Sequence, residues 1–303
     1  MAAVTESINA RSWLFAPGDS ERKMEKAVAG PADIVLFDLE DAVAETEKPR
    51  ARSQVAAFLA AQPAERSRLW VRINPLQGPH ALSDLAAVMP ARPGGIMLPK
   101  ARHGADVERL HQHLSDLEVA AGIEQGATRV IALVTETAES MFTTGTYGGR
   151  RRLAALTWGA EDLAAAVGAT SNRNADGSYA FMYEMARSFC LLGAAAAGVA
   201  AVETIHGDFR DESGLRRRAQ EARRSGFRGM LAIHPAQVEP INDAFTPTTE
   251  ELKAAQEIVD LFAANPGSGT IGYKGAMLDR PHLARAQGLL RLAASQQSAK
   301  KGN

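Results

Sequence analysis

The chain has 303 residues, 46% of them hydrophobic and 23% charged, enough to bury a substantial core. Its 34 Lys+Arg nearly balance 35 Asp+Glu, for a net charge of -1, which excludes the strong basic excess of a nucleic-acid binder. Cys190 is the single cysteine, so no internal disulfide or cysteine-rich zinc site can form. No apolar run approaches the ~18 residues of a membrane span, and the N-terminus MAAVTESINARSW lacks the basic-then-apolar layout of a secretory signal. A soluble, cytoplasmic protein with no membrane or nucleic-acid partner is expected. The length exceeds the roughly 100–200 residues of one ordinary domain, leaving either two domains or one large barrel with an extension.

Taken in order, eight short β-rich runs occur: SWLFAP (12–17), DIVLFDLE (33–40), LWVRIN (69–74), GIMLPK (95–100), RVIALVTE (129–136), LAALTWG (153–159), VAAVETI (199–205) and GMLAIH (229–234). Near-continuous apolar runs indicate strands buried on both faces, as in a parallel sheet covered by helices. Helical segments lie between them. PGDSERKMEKAVAG starts a helix with Asp19 or Ser20 as cap and Gly30 as stop. Residues 46–61 carry Pro49 near the start, where a missing N–H does no harm. Residues 106–121 place Val107, Leu110, Leu114 and Leu117 on one stripe. Residues 180–197 end at Gly198, and 213–225 end at Gly226. Eight such alternations favour a (β/α)8 TIM barrel, typically of ~250 residues, over an open doubly wound sheet. The barrel is expected over residues 1–264. The remainder, 265–303, reads as a C-terminal helical arm: a loop (NPGSGTIGYKGAMLD), a helix over 280–294 and a disordered tail, SQQSAKKGN.

In a barrel the chemistry sits at the C-terminal ends of the strands. The second run finishes in Asp38, Glu40 and Asp41, the third carries Arg72 and Asn74, and the fourth ends at Lys100. The fifth runs into Glu136, the sixth into Glu161 and Asp162, the seventh into His206 and Asp208, the eighth into His234. Packing gives no reason to gather unpaired charge there, because burying it is costly; a divalent cation does. Hard oxygen donors without a His/Cys cluster suit Mg2+, with Mn2+ as a substitute, and Mg2+ needs only one or two protein carboxylates. Glu136 and Asp162 are the candidate pair. Arg72 offers a fork for a substrate carboxylate or a developing oxyanion. Arg22 and Lys26, four apart on one helix, suit the phosphates of a nucleotide-bearing substrate.

Each residue also has a plain structural reading. Arg72 can pair with Asp38 or Glu40. Glu136 and Asp162 can be helix-start carboxylates. His234 before Pro235 reads as a hydrogen-bonded structural histidine and Cys190 as core. The triplets Arg150–Arg152 and Arg216–Arg218 read as solvated surface, and the GSG at 267–269 is a weak match to a phosphate loop. Joint placement at strand ends favours chemistry over these alternatives.

The segments RSWLFAPGD, DIVLFDLEDAV, VRINPL, GIMLPK, VTETAES, TWGAEDLAAAVGATS and LAIHPAQVEPINDAF resemble, in order, the signatures of the citrate lyase β-subunit-like family within the HpcH/HpaI aldolase superfamily. The pattern runs from about Arg11 to Leu290 and is closest to the citramalyl-CoA lyase branch. The resemblance implies a Mg2+-dependent lyase that cleaves a 3-hydroxyacyl-CoA thioester, on a (β/α)8 barrel that assembles as a homo-oligomer, a trimer or dimer of trimers. It assigns Arg72 as the substrate and oxyanion contact, and Glu136 and Asp162 as metal ligands. Phe15, Arg22 and Lys26 become CoA contacts, and Asp208 a substrate contact. Glu40 and Asp41 orient metal-bound water. Asp279 in GAMLDRP becomes an acid–base group that reaches a neighbouring subunit's active site. The implied products are acetyl-CoA and a small 2-oxo acid, pyruvate or glyoxylate. Two related activities fit the same signatures: a citrate lyase β subunit acting on a citryl acyl-carrier-protein thioester, and a CoA-free 2-oxo-acid aldolase. Glu203 and His206 stand where many bacterial members have Asp and Tyr.

Overall fold

In the computed structural model, residues 8–301 are described, with side chains as far as Gln296. Residues 1–7, part of the N-terminal segment expected to carry no secretory signal, and the last two residues of the expected disordered tail lie outside that range. The chain forms two compact units, 1–243 and 244–303.

The first unit is a closed barrel of eight parallel strands in chain order. Its elements are β1 (Ser12–Pro17), α1 (Glu21–Val28), β2 (Ile34–Asp38), α2 (Lys48–Ala60), β3 (Leu69–Arg72), α3 (Ala81–Val88), β4 (Gly95–Leu98) and α4 (Gly104–Ala120). They continue with β5 (Arg129–Leu133), β6 (Leu153–Thr157), α5 (Glu161–Ala166), α6 (Phe181–Ala197), β7 (Ala200–Glu203), α7 (Glu212–Ser225), β8 (Gly229–Ala232) and α8 (Val238–Phe245), whose last two residues belong to the second unit. All eight strands fall inside the runs expected from sequence. Seven of them stop short, and the last two or three residues of those runs lie in the loops above the barrel.

Register explains how apolar packing and charge divide the interior. Phe15 pairs with Leu36 and Leu36 with Trp70, while Asp38 pairs with Arg72, Arg72 with Met97 and Met97 with Ile131. Partners across parallel strands face the same side, so one interior layer is apolar and the next begins with an acid and a base. Trp13, Leu36, Trp70, Met97, Ile131, Val202 and Leu231 belong to one buried cluster, with the Trp13 and Trp70 rings 5.2 Å apart edge to face. Gly95 makes room for this plug: a Cβ there would lie 2.4 Å from the Trp70 ring. The barrel is therefore filled below and charged above.

Two expectations about the surface change. Arg152 is buried, not solvated, at 5% exposure. It donates to both Glu118 carboxylate oxygens at 2.6 and 2.7 Å, to His111 Nδ1 at 2.7 Å and to Ser115 Oγ at 2.9 Å. Arg218 is also largely covered, with its guanidinium 4.4 Å from the Tyr179 ring centroid. A long flexible cation next to a buried acid gains more by pairing than by solvation, and sequence spacing does not show that acid.

In the second unit, α9 (Thr249–Ala264) opens with a reciprocal capping box between Thr248 and Glu251. The segment expected as a loop is an antiparallel hairpin of β9 (Thr270–Tyr273) and β10 (Ala276–Asp279). Its two-residue turn holds Lys274 and Gly275 at φ of 47° and 79°, the left-handed pair that two-residue hairpins require. The final helix, α10, runs Arg280–Lys301, so the tail expected to be disordered continues as helix within the described residues. Helix α9 belongs with this unit, which begins 21 residues ahead of the 264/265 boundary drawn from sequence.

Candidate active site

The mouth is built around Arg72. From the end of β3 it donates Nε and Nη2 to the two oxygens of Asp38 at 2.7 and 2.6 Å. Its Nη1 lies 3.0 Å from Glu40 and 3.5 Å from Asp41. Asp38 also accepts the backbone N–H groups of Glu40 and Ala42, at 2.9 and 3.1 Å. Burial works against the Asp38 carboxylate, but Arg72 and these two N–H donors outweigh it and hold its pKa low. Phe15 from β1 closes the other side, its ring centroid 4.7 Å from the guanidinium carbon. The structural reading of Arg72 as an ion-pair partner is thus realised, with its remaining nitrogen, Nη1, turned to Glu40 and Asp41.

Lys100, just past β4, links the rest. Its Nζ donates to Glu40 Oε1 at 3.0 Å and lies 3.2 Å from Asp162 Oδ1 and 3.6 Å from Asp41. Its backbone N–H donates to Glu136 Oε2 at 2.6 Å. Burial lowers the ammonium's pKa, but Glu40, Asp162 and Asp41 outweigh it and raise it. Glu136, 4% exposed, has its pKa raised well above the usual carboxylate range by burial first, then by Glu40 and Asp162. Burial, with repulsion from Asp41, pushes Glu40 up to about 7 against the pull of Arg72 and Lys100. Glu40 Oε2 is buried and is met by the Arg72 ion pair at 3.0 Å without an aligned hydrogen bond.

An inner scaffold positions these groups. Buried Lys48 donates to the carbonyls of Leu39 and Glu40 and to Asn74 Oδ1, at 3.1, 3.0 and 2.7 Å. Asp84 accepts from Asn74 and, at 2.9 Å, from Arg52. The acidic loop after β2 is therefore pinned from below. Asn74 and Lys100 stand out in the sequence only as polar strand ends, and Lys48 and Asp84 carry no sequence signal of their role. Nothing in a one-dimensional pattern distinguishes a helix-start lysine that turns inward.

Among the sequence-derived candidates, Phe15, Glu40, Asp41, Arg72, Glu136 and Asp162 are linked directly or through Lys100. Arg22 and Lys26 are exposed on α1. Asp208 is exposed beyond β7, accepting the Arg210 N–H at 3.0 Å. Asp279 lies in the second unit at the end of β10, where pairing with His282 lowers its pKa. Glu203 points to the helix layer: it accepts from Trp158 Nε1 and Arg187 Nε, both at 2.6 Å. His234 accepts the Ala236 N–H at 3.2 Å and stacks on Phe209, as a structural histidine would.

Among the described residues, no group of three or more His, Cys, Asp or Glu side chains is arranged to hold a metal. A site for Mg2+ needs fewer, since this ion keeps water and substrate oxygens in most positions. Glu136 and Asp162 fit that requirement. They are hard oxygen donors, they repel each other, and the buried one of the pair carries charge that its surroundings under-compensate.

Comparison with known proteins identifies the family. The family model described as HpcH/HpaI aldolase/citrate lyase matches residues 11–235. A citrate lyase subunit beta-like protein of Mycobacterium tuberculosis is 36% identical over 281 residues, covering 93% of this chain and 94% of the relative. The mitochondrial citramalyl-CoA lyase of Mus musculus is 34% identical over 297 residues, covering 94% and 86%. A crystal structure of protein CitE from Mycobacterium tuberculosis in complex with magnesium, acetoacetate and coenzyme A superposes with a TM-score of 0.77 at 35% identity, covering 94% of this chain and 98% of that one. With a closed eight-stranded barrel, a charged mouth and these relatives, the chain belongs to the HpcH/HpaI aldolase/citrate lyase family.

Proposed function

We propose that the protein is a magnesium-dependent carbon–carbon lyase. It cleaves a 3-hydroxyacyl-CoA thioester of the citramalyl-CoA or malyl-CoA type to acetyl-CoA and pyruvate or glyoxylate. The observation that carries this reading is the buried Glu136 carboxylate, raised in pKa beside Glu40 and Asp162 and reached across the mouth through Lys100 and Glu40 from Arg72. The relatives supply the substrate class: one is a citramalyl-CoA lyase, and another binds magnesium, acetoacetate and coenzyme A.

Glu136 and Asp162 would hold Mg2+, or Mn2+ in its place, and the ion would supply Lewis acidity to the oxygens of the substrate. Arg72, locked by Asp38, presents a fixed positive charge to the thioester oxygen on which the enolate develops as the carbon–carbon bond breaks. A donor already in place needs no reorganisation during the reaction, and the Asp38 clamp provides that. Phe15 covers the guanidinium face and walls the thioester end. Glu40 and Asp41 hold water at the mouth. In cleavage the substrate hydroxyl gives its proton to water held by Glu40 and Asp41, and Asp279 of a neighbouring copy, protonated in that direction, gives its proton to the enolate carbon to complete the acetyl methyl. In condensation the same group, as the carboxylate that pairing with His282 favours, takes a proton from that methyl. Arg22 and Lys26 offer exposed cations to the CoA phosphates, and Asp208 contacts the acyl end.

The test is an assay of citramalyl-CoA, malyl-CoA and citryl thioesters, with and without Mg2+ and EDTA. Full activity in EDTA removes the metal assignment, and cleavage confined to acyl-carrier-protein thioesters or free acids removes the CoA assignment. Asp279→Ala is expected to lose about 10²–10⁴-fold in turnover, the range for an acid–base group, with Mg2+ binding intact. Undiminished turnover would make the hairpin structural only.

A further inference from the structure

Lys100 has a position that neither ion pairing nor packing explains alone. It is not glycine, yet it holds φ at 49°, a left-handed conformation that costs energy and persists where surrounding structure demands it. The turn aims both ends of one residue at the same group of acids. The backbone N–H meets Glu136 at 2.6 Å, and the ammonium meets Asp162 at 3.2 Å and Glu40 at 3.0 Å. One residue therefore touches both members of the proposed metal pair.

The two contacts differ in kind. A backbone N–H leaves other lone pairs of the Glu136 carboxylate available to a cation. An ammonium beside Asp162 Oδ1 competes with a cation directly. Mg2+ binds oxygen at about 2.0–2.1 Å, and a second positive charge on the same carboxylate would then be repelled. The side chain is long, 29% exposed, and has a second anchor ready: Glu40 at 3.0 Å, with Asp41 at 3.6 Å.

We propose that Lys100 is a tethered counter-ion that occupies Asp162 in the metal-free protein and is displaced toward Glu40 and Asp41 when the divalent cation enters. This rests on the metal pair proposed above. Displaced from Asp162, the ammonium stays anchored on Glu40 and turns its remaining N–H donors into the mouth beside Arg72, where they meet the carboxylate of the 2-oxo acid. Metal binding is then coupled to recognition of an anionic substrate, because the same ammonium leaves the metal site and enters the acid site. Lys100 is a positioning and specificity residue in this scheme and transfers no proton.

The test uses the full-length protein without turnover. Mn2+ is titrated into metal-stripped wild type, Lys100→Met, Lys100→Arg and Glu136→Gln, followed by electron paramagnetic resonance, first alone and then with pyruvate. Lys100→Met is expected to bind Mn2+ about tenfold more tightly without pyruvate, and its Mn2+-loaded form to bind pyruvate about tenfold more weakly, within the usual 5–150-fold scale of site-to-site coupling. Lys100→Arg restores both. Equal or weaker Mn2+ binding by Lys100→Met overturns the proposal, the weaker result marking a purely structural role. If wild type binds no Mn2+, or Glu136→Gln binds it as well as wild type, the metal pair itself is wrong and the proposal falls with it.

Discussion

Glu118 and Glu136 are both buried glutamates of the barrel unit, 0% and 4% exposed, yet their surroundings are opposite. Glu118, on α4, receives Arg152 on both oxygens and the backbone N–H groups of Gly126 and Thr128 at 2.8 and 2.9 Å. Burial penalises its charge, but these donors more than offset it and the pKa falls. Glu136, past β5, has one hydrogen bond among the described residues, from Lys100 N–H, and faces two other acids. Its pKa rises. Burial is common to both, so the difference lies in compensation. A buried carboxylate with every lone pair answered holds the fold together, whereas one left short of positive charge marks a place for a cation.

The sharpest way to break this comparison is Glu136→Gln. It is expected to reduce metal-dependent cleavage by more than about 100-fold, beyond the usual loss for an outer partner of a metal ligand. The metal-free protein should melt at the same temperature or higher, since an under-compensated charge is gone; a clear drop in melting temperature would place Glu136 with Glu118 as a structural group. Next in size is Arg152→Met, expected to destabilise by about 3–5 kcal/mol by stranding Glu118. A denaturant melt reads this, and an unchanged midpoint would show the pair to be dispensable.

The smallest effect is a difference in sign with pH, read on metal-free protein. Glu118 has a depressed folded pKa, so its contribution is present above the ordinary glutamate value of 4.5 and lost as pH falls below it. Glu136 has a raised folded pKa, so its contribution is present below 4.5 and lost as pH rises through the folded value. Glu118→Gln should flatten the acid limb of the stability profile, and Glu136→Gln the decline on the neutral side. Two variants with the same profile would erase the distinction.

Much of this was legible along the chain. The eight apolar runs gave the strand count, and the ionisable residues gathered at or just past the ends of most of them located the mouth, because joint placement at strand ends outweighs the ion-pair or helix-start reading open to each one singly. Arg72, Glu40, Glu136 and Asp162 stood out for that cause. Other groups did not. Lys100 sits at a strand end like its neighbours, and only its left-handed turn brings it onto both Glu136 and Asp162. Lys48 resembles any first-turn lysine until the loop after β2 closes over it. The hairpin of β9 and β10 was hidden because alternation over four residues is too short to separate from a glycine-rich loop.

By itself, the sequence determined what is local and periodic: the strand and helix alternation, the apolar faces, the absence of disulfide chemistry and the gathering of ionisable residues at strand ends. Tertiary structure decided which acids are compensated. Arg152 lies 34 residues from Glu118 and Lys100 lies 62 residues from Asp162 along the chain. Whether a buried charge is answered depends on groups brought within a few ångströms by barrel closure, and Coulomb energy in a low-dielectric interior is set by that separation and not by spacing in sequence.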